Sequence, residues 1–138
     1  MKAIRTYFPQ LSKEQFQQLD QLGSLYQDWN DKVNLVSRKD IEHIYDHHIL
    51  HSLAIARYMS FKPGTKILDL GTGGGLPGLP LAIYFPECKF HLVDARAKKI
   101  MVVNDIIDQM DLTNVTATHG RVENLTSRYD FIVSRAVA

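Results

Sequence analysis

The residues best suited to chemistry lie in one short run, Asp69-Leu-Gly71-Thr-Gly73-Gly-Gly75-Leu-Pro-Gly78, placed directly after an apolar stretch. Glycines at this density serve where the backbone must take positive φ, or where a ligand must approach it without meeting β-carbons. Asp69 stands two residues ahead of the first glycine and adds a fixed negative charge, which suits a ligand carrying an ammonium and repels a pyrophosphate. The same run also satisfies G-x-G-x-x-G through Gly73, Gly75 and Gly78, the spacing that seats a dinucleotide pyrophosphate at a helix start.

Two ligand classes therefore compete. The D-x-G-x-G form, with Asp69, Gly71 and Gly73, resembles that of S-adenosylmethionine enzymes, and the acid favours it. The alternative is an NAD(P)-linked oxidoreductase using Gly73, Gly75, Gly78 and Asp94. Asp94 ends the next apolar stretch, where a carboxylate can accept both hydroxyls of an adenosine ribose. That group is common to both ligands, and Asp94 could instead cap the following helix. Further on, the Val122 amide of Gly120-Arg-Val-Glu123 could meet an adenine ring nitrogen, with Glu123 near the exocyclic amine. Glu123 could equally be a solvated acid in a helix's first turn.

These residues need elements to position them. Ser12-Lys-Glu-Gln15 has the spacing of a capping box, and Phe16, Leu19, Leu22, Leu25, Tyr26, Trp29 and Val33 then recur as one helical stripe. A second helix is expected from near Asp40, with Ile41, Tyr45, Ile49, Leu53, Ala56 and Met59 on one face. Lys62-Pro-Gly-Thr65 marks a boundary. It divides a helical extension, 1–62, from a core, 63–138, that joins it in one compact unit. In the core, strands at 67–70, 90–93, 114–118 and 129–134 alternate with helices at 77–85 and 100–110. The expected fold class is α/β, a Rossmann-like parallel sheet with helices on both faces. A fourth strand beside the first, with nothing outside it, would leave an unpaired apolar edge. The sheet is thus expected to be incomplete and the chain cut short, a natural four-strand domain being the other possibility.

Composition narrows the class. A chain of 138 residues, 45% hydrophobic and 22% charged, matches one ordinary globular domain. No apolar run approaches the roughly 18 residues needed to span a bilayer, and the first residues lack the features of a secretory signal. The lone Cys88 excludes an internal disulfide and fits a reducing cytoplasm. A net charge of +1 neither supports nor excludes a nucleic-acid partner. His43, His47 and His51, four residues apart, could ligate zinc, but no cysteine or close carboxylate completes a known motif, so a polar helix face is expected and no metal.

Several segments together resemble a known family. They are Trp29-Asn-Asp-Lys-Val-Asn34-Leu, His48-Ile-Leu-His-Ser52-Leu, Leu68-Asp-Leu-Gly-Thr-Gly-Gly-Gly-Leu-Pro-Gly78-Leu-Pro, Val93-Asp-Ala-Arg96, Val122-Glu123 and Ser134-Arg-Ala-Val-Ala138. From about Leu25 onward the chain is similar to the RsmG (GidB) group, bacterial guanine-N7 methyltransferases of small-subunit rRNA. The resemblance implies a class I S-adenosylmethionine-dependent methyltransferase fold and a longer usual chain. It also implies cofactor contacts at Gly71, Leu76, Asp94, Ala95, Arg96, Val122, Glu123 and Arg135, beside Asp69 and Gly73 read above. His51 departs from the family, which commonly has Asp there. The implied partner is 16S rRNA or the 30S subunit, with no membrane involved. Asn34, Arg38, Lys39 and His48 are candidate RNA contacts, with solvated or capping roles as the other reading. Arg135 is the best-placed residue for catalysis by orientation, toward a cofactor carboxylate or an RNA phosphate. An inactive RNA-binding fragment of such an enzyme is a further alternative.

Overall fold

The structure, a computed structural model, describes residues 1–135; Ala136-Val-Ala138, the end of the last motif above, lie outside them. Four parallel strands form one sheet in the order β3-β2-β1-β4: β1 is Lys66–Leu70, β2 Lys89–Asp94, β3 Val115–His119 and β4 Phe131–Val133. This is the expected α/β architecture. The direction of travel reverses at β1, whose neighbours are the second and the last strand. The carboxyl ends of β1, β2 and β4 therefore border one crevice, the usual ligand position in such sheets.

Two helices lead up to the sheet, α1 (Lys2–Tyr7) and α2 (Lys13–Asn30). Two short ones, α3 (Leu50–Leu53) and α4 (Ile55–Tyr58), come just before β1. The crossover helices are α5 (Gly78–Tyr84) and α6 (Ala97–Met110). Right-handed crossovers that progress in one direction put α5 and α6 on the same sheet face. The capping box forms as the spacing predicts, with Ser12 Oγ accepting from the Gln15 amide at 3.0 Å and Gln15 Oε1 accepting from the Ser12 amide at 2.9 Å. Gln15 does more than cap. Its Nε2 donates to the carbonyls of Ile83 at 3.1 Å and Tyr84 at 3.2 Å, tying the start of α2 to the end of α5.

The N-terminal region differs from expectation in three places. Helix α1 was not foreseen; its six residues bury only Ile4, too little for a periodicity to show. Helix α2 stops at Asn30, short of Val33, because the buried Asn30 side chain accepts from the amides of Leu35 (2.8 Å) and Val36 (3.0 Å) and turns the chain. The helix from Asp40 is not one regular α-helix. It runs as a 3-10 turn (Ile41–His43), a π-helical stretch (Ile44–Ile49), then α3 and α4. The wider π winding rotates the inward face, so Ile44, His48, Ile49, Ser52 and Leu53 are buried while Met59 is exposed. Tyr45 lies across Gly23 of α2, where an added Cβ would fall 2.2 Å from its ring.

Leu19, Leu22, Ile67, Leu79, Leu92, Val103 and Ile106 are fully buried and belong to one core spanning the helical region and the sheet. The fourth strand is one of the two sheet edges, with Phe131 42% and Ile132 65% exposed. No helix among the described residues is long and apolar enough to cross a membrane. His43 and His47 stack at 4.6 Å, and no metal-holding cluster occurs among the described residues.

Gln15→Ala removes one half of the capping box and both ties to α5. An equilibrium urea titration is expected to show a loss of about 1–2 kcal/mol with little change in slope.

Candidate functional site

Strand β1 runs directly into the glycine turn, and Asp69 organises it. Its carboxylate is fully buried. Oδ2 accepts from the Thr72 hydroxyl at 2.6 Å and from the Gly78 amide, the first of α5, at 2.9 Å. Oδ1 is buried with no hydrogen-bond partner among the described residues. Burial raises the Asp69 pKa to about 7, opposed by the Thr72 and Gly78 hydrogen bonds and by the charge of Arg135, while Asp94 pushes it up further. An acid so poised keeps one acceptor oxygen free for a cation or a donor.

The backbone over this acid is open. Gly71 (φ 71°) and Gly73 (φ 58°) both take left-handed conformations. A Cβ at Gly71 would meet nothing within 4 Å, and at Gly73 only an Arg96 guanidinium nitrogen at 3.7 Å. Gly78 is constrained for a different reason, since a Cβ there would fall 2.7 Å from Leu92 and 2.8 Å from Asp69 Oδ2. The turn therefore presents bare backbone outward and packs tightly inward.

The end of α2 and the loop after it buttress the turn. The phenol of Tyr26 donates to the Gly74 carbonyl at 2.8 Å from a fully buried position, and burial, with the nearby Asp69 charge, keeps it un-ionised. Leu35 packs on Gly74, where an added Cβ would lie 3.2 Å from its side chain. Neither Tyr26 nor Asn30 had been singled out for the site. Tyr26 was hidden in an apolar stripe, and Thr72 was hidden among the glycines.

Asp94, at the end of β2, is 4% exposed. Oδ2 accepts from the Gly73 amide at 2.8 Å and from Arg96 Nη2 at 3.2 Å; Oδ1 accepts from the Arg96 amide at 2.8 Å and Nε at 3.0 Å. Burial alone would raise its pKa, but the Arg96 bonds and the Gly73 amide outweigh that and hold it below the ordinary carboxylate value. Asp94 therefore does not cap α6, whose N-cap Arg96 has no side-chain cap bond; it holds Arg96 and fixes the glycine turn. Ala95 is exposed, its carbonyl accepting from His119 Nε2 at 3.0 Å, and the Gly120 amide donates to the Asp94 carbonyl at 3.0 Å. This brings the end of β3 beside Asp94. Val122 and Glu123 follow in a single 3-10 turn, Val122–Asn124, with Glu123 exposed.

Arg135, two residues past β4, is half-buried and donates from Nη2 to His48 Nδ1 at 3.0 Å. Its charge reaches Asp69 and Tyr26. Leu76 is buried within the turn. Asn34, Arg38 and Lys39 are exposed in the loop behind Leu35, with the Lys99 ammonium donating to the Asn34 carbonyl. His48 is buried rather than at this surface. A cleft of about 690 Å³ lies at the opposite end of the strands, lined by Lys66, Lys89, Phe90, His91 and Tyr129 among others. Volume therefore does not mark the site; the open turn does.

This geometry also weighs against a dinucleotide. A pyrophosphate at a helix start needs the first amides of that helix, and in α5 the Gly78 amide is already bound to the buried Asp69 carboxylate. The fold with its glycine turn is that of a class I S-adenosylmethionine-dependent methyltransferase, with an incomplete sheet. A structure described as a SAM dependent methyltransferase from Aquifex aeolicus aligns over 72% of this chain and 56% of its own, with a TM-score of 0.54 and 18% identity. A family model described as rRNA small subunit methyltransferase G (GidB) matches residues 15–138, and the chain belongs to that family. Relatives named ribosomal RNA small subunit methyltransferase G include one from Cytophaga hutchinsonii and one from Bacteroides thetaiotaomicron. Each is 56% identical over 137 residues, covering 99% of this chain and 66% of its own. The chain thus spans just under two thirds of the length of these relatives.

Two outcomes are expected. Tyr26→Phe leaves the buried Gly74 carbonyl unpaired and lowers stability by about 1–3 kcal/mol in chemical denaturation. For Asp69 the folded pKa of about 7 lies above the ordinary 3.8, so the native state keeps a proton that the unfolded chain releases between those values. Its contribution to stability is full below the lower value and is lost as pH rises toward the upper one. The wild-type minus Asp69→Asn stability difference should fall over that window; a flat difference would contradict the buried environment of this acid.

Proposed function

We propose that this chain provides the S-adenosylmethionine site of an enzyme that methylates N7 of a guanosine in 16S rRNA of the small ribosomal subunit. The observation that carries the reading is the buried, unpartnered Asp69 Oδ1 beneath the open backbone of Gly71 and Gly73. Asp94 flanks it at the end of β2 and Arg135 just beyond β4. In a member of this family, that set fits the cofactor's groups. Asp69 receives the ammonium, and Arg135 orients the carboxylate or, as the other use of the same charge, an RNA phosphate. Asp94 takes the ribose hydroxyls once Arg96 gives way. Ala95, Arg96, Val122 and Glu123 lie along the path to the adenine, and Leu76 backs the turn.

Bound S-adenosylmethionine supplies a methyl carbon made electrophilic by its sulfonium. Guanine N7 offers an in-plane lone pair and carries no proton, so no side chain needs to act as a base there. The residues' work is alignment of acceptor and donor, which can be worth roughly 7–11 kcal/mol. Exposed Asn34, Arg38 and Lys39, in the loop held against the glycine turn, are the proposed RNA contacts, with the 30S subunit or its RNA as partner in the cytoplasm.

Calorimetry with S-adenosylhomocysteine is expected to show saturable binding to one site, and NADH none; the reverse pattern removes this reading. Asp94→Ala should weaken that binding about tenfold or more, since a charged acceptor of several hydrogen bonds is lost. An ammonium at Asp69 favours its ionised form, so binding should release part of a proton near neutral pH. Affinity should then rise as pH is raised through the Asp69 value of about 7, read from heats in buffers of different ionisation enthalpy. Labelled methyl transfer to 16S rRNA or 30S particles, by the chain extended to its relatives' length, tests the acceptor.

A further inference from the structure

His48 joins two parts of the molecule that are 87 residues apart in sequence. It lies on the π-helical stretch, 9% exposed, with its backbone carbonyl accepting from Ser52 Oγ at 2.7 Å. Its Nδ1 is 3.0 Å from Arg135 Nη2. A guanidinium can only donate, so Nδ1 is the acceptor and the ring's proton is on Nε2. That Nε2 is buried without a hydrogen-bond partner among the described residues and lies 3.6 Å from Asp40 Oδ2. The Asp40 carboxylate thus favours the tautomer that Arg135 requires. Arg135, held by His48, is near enough for its charge to act on Asp69 and Tyr26 at the glycine turn.

We infer that His48 is a positioning residue for ligand binding: as a neutral imidazole it accepts from Arg135 and fixes the guanidinium at the site, its remaining N–H groups free for an anionic group of the ligand. This rests on the adenosyl-ligand reading above. Three groups face the ring. Arg135 and His47 oppose its protonation and Asp40 favours it; with burial the largest influence, the pKa of His48 falls below the ordinary 6.5. The contact is therefore intact at neutral pH. It fails when acid protonates Nδ1, because two cationic donors then face each other.

The test compares S-adenosylhomocysteine affinity of wild type, His48→Asn and His48→Leu by calorimetry. It is paired with an NMR titration of the His48 ring in wild type and Arg135→Ala. In Asn the side-chain oxygen takes the place of Nδ1, so His48→Asn should bind within about threefold of wild type, whereas His48→Leu, lacking the acceptor, should bind about tenfold more weakly. Below the His48 pKa, wild type should lose affinity relative to His48→Asn, which cannot titrate; a purely structural role would not produce that divergence. Arg135→Ala should raise the His48 pKa. The inference is overturned if His48→Leu binds like wild type, if His48→Asn is as weak as His48→Leu, or if the ring titrates identically without Arg135. Wild type that binds no S-adenosylhomocysteine would remove the ligand reading and this inference together, whereas a failure confined to the His48 comparisons removes this inference alone.

Discussion

The site depends on one carboxylate placed where water cannot reach it. Asp69 Oδ2 binds the first amide of α5 and the Thr72 hydroxyl, which ties β1, the glycine turn and α5 into one unit. Burying a carboxylate costs several kcal/mol unless it is hydrogen-bonded, and the alternative is to neutralise it. Both responses are visible here. One oxygen is doubly satisfied, and the group's pKa is driven up to about 7. The remaining oxygen has no hydrogen-bond partner among the described residues.

The helical region is part of this machinery. Tyr26 closes on the Gly74 carbonyl, and Asn30 folds the following loop back so that Leu35 rests on Gly74. The loop that bears the exposed Asn34, Arg38 and Lys39 is thereby anchored to the turn at Leu35. The π-helical stretch also carries a buried group of the site region, His48, which accepts from Arg135.

What could be read in the sequence was what depends on local pattern. The capping box, the four parallel strands, the place of the turn and the carboxylates at the ends of β1 and β2 all follow from short-range spacing. The parts that could not be read depend on distant partners. Nothing near Asp94 in sequence foretells that the Gly73 amide shares its carboxylate, and nothing near His48 foretells Arg135. The π winding escaped because residue types at 41–59 satisfy a 3.6-residue repeat nearly as well, and only packing against Gly23 and α2 chooses between them. Tyr26 was assigned to the core correctly, yet its hydroxyl, the atom that matters to the turn, leaves no mark on a hydrophobic pattern.

The full set of bonds around Asp94 has a consequence for how tightly anything can be held there. Each of its oxygens already receives two donors, and three of the four come from Arg96. A hydroxyl arriving at this carboxylate therefore replaces a guanidinium contact instead of adding to an empty acceptor. The net gain is the difference between two hydrogen bonds, offset further by the freedom the released side chain recovers or loses. Counting polar contacts in an occupied pocket would overstate its affinity, and selectivity must come from shape and from the buried acid at the neighbouring strand.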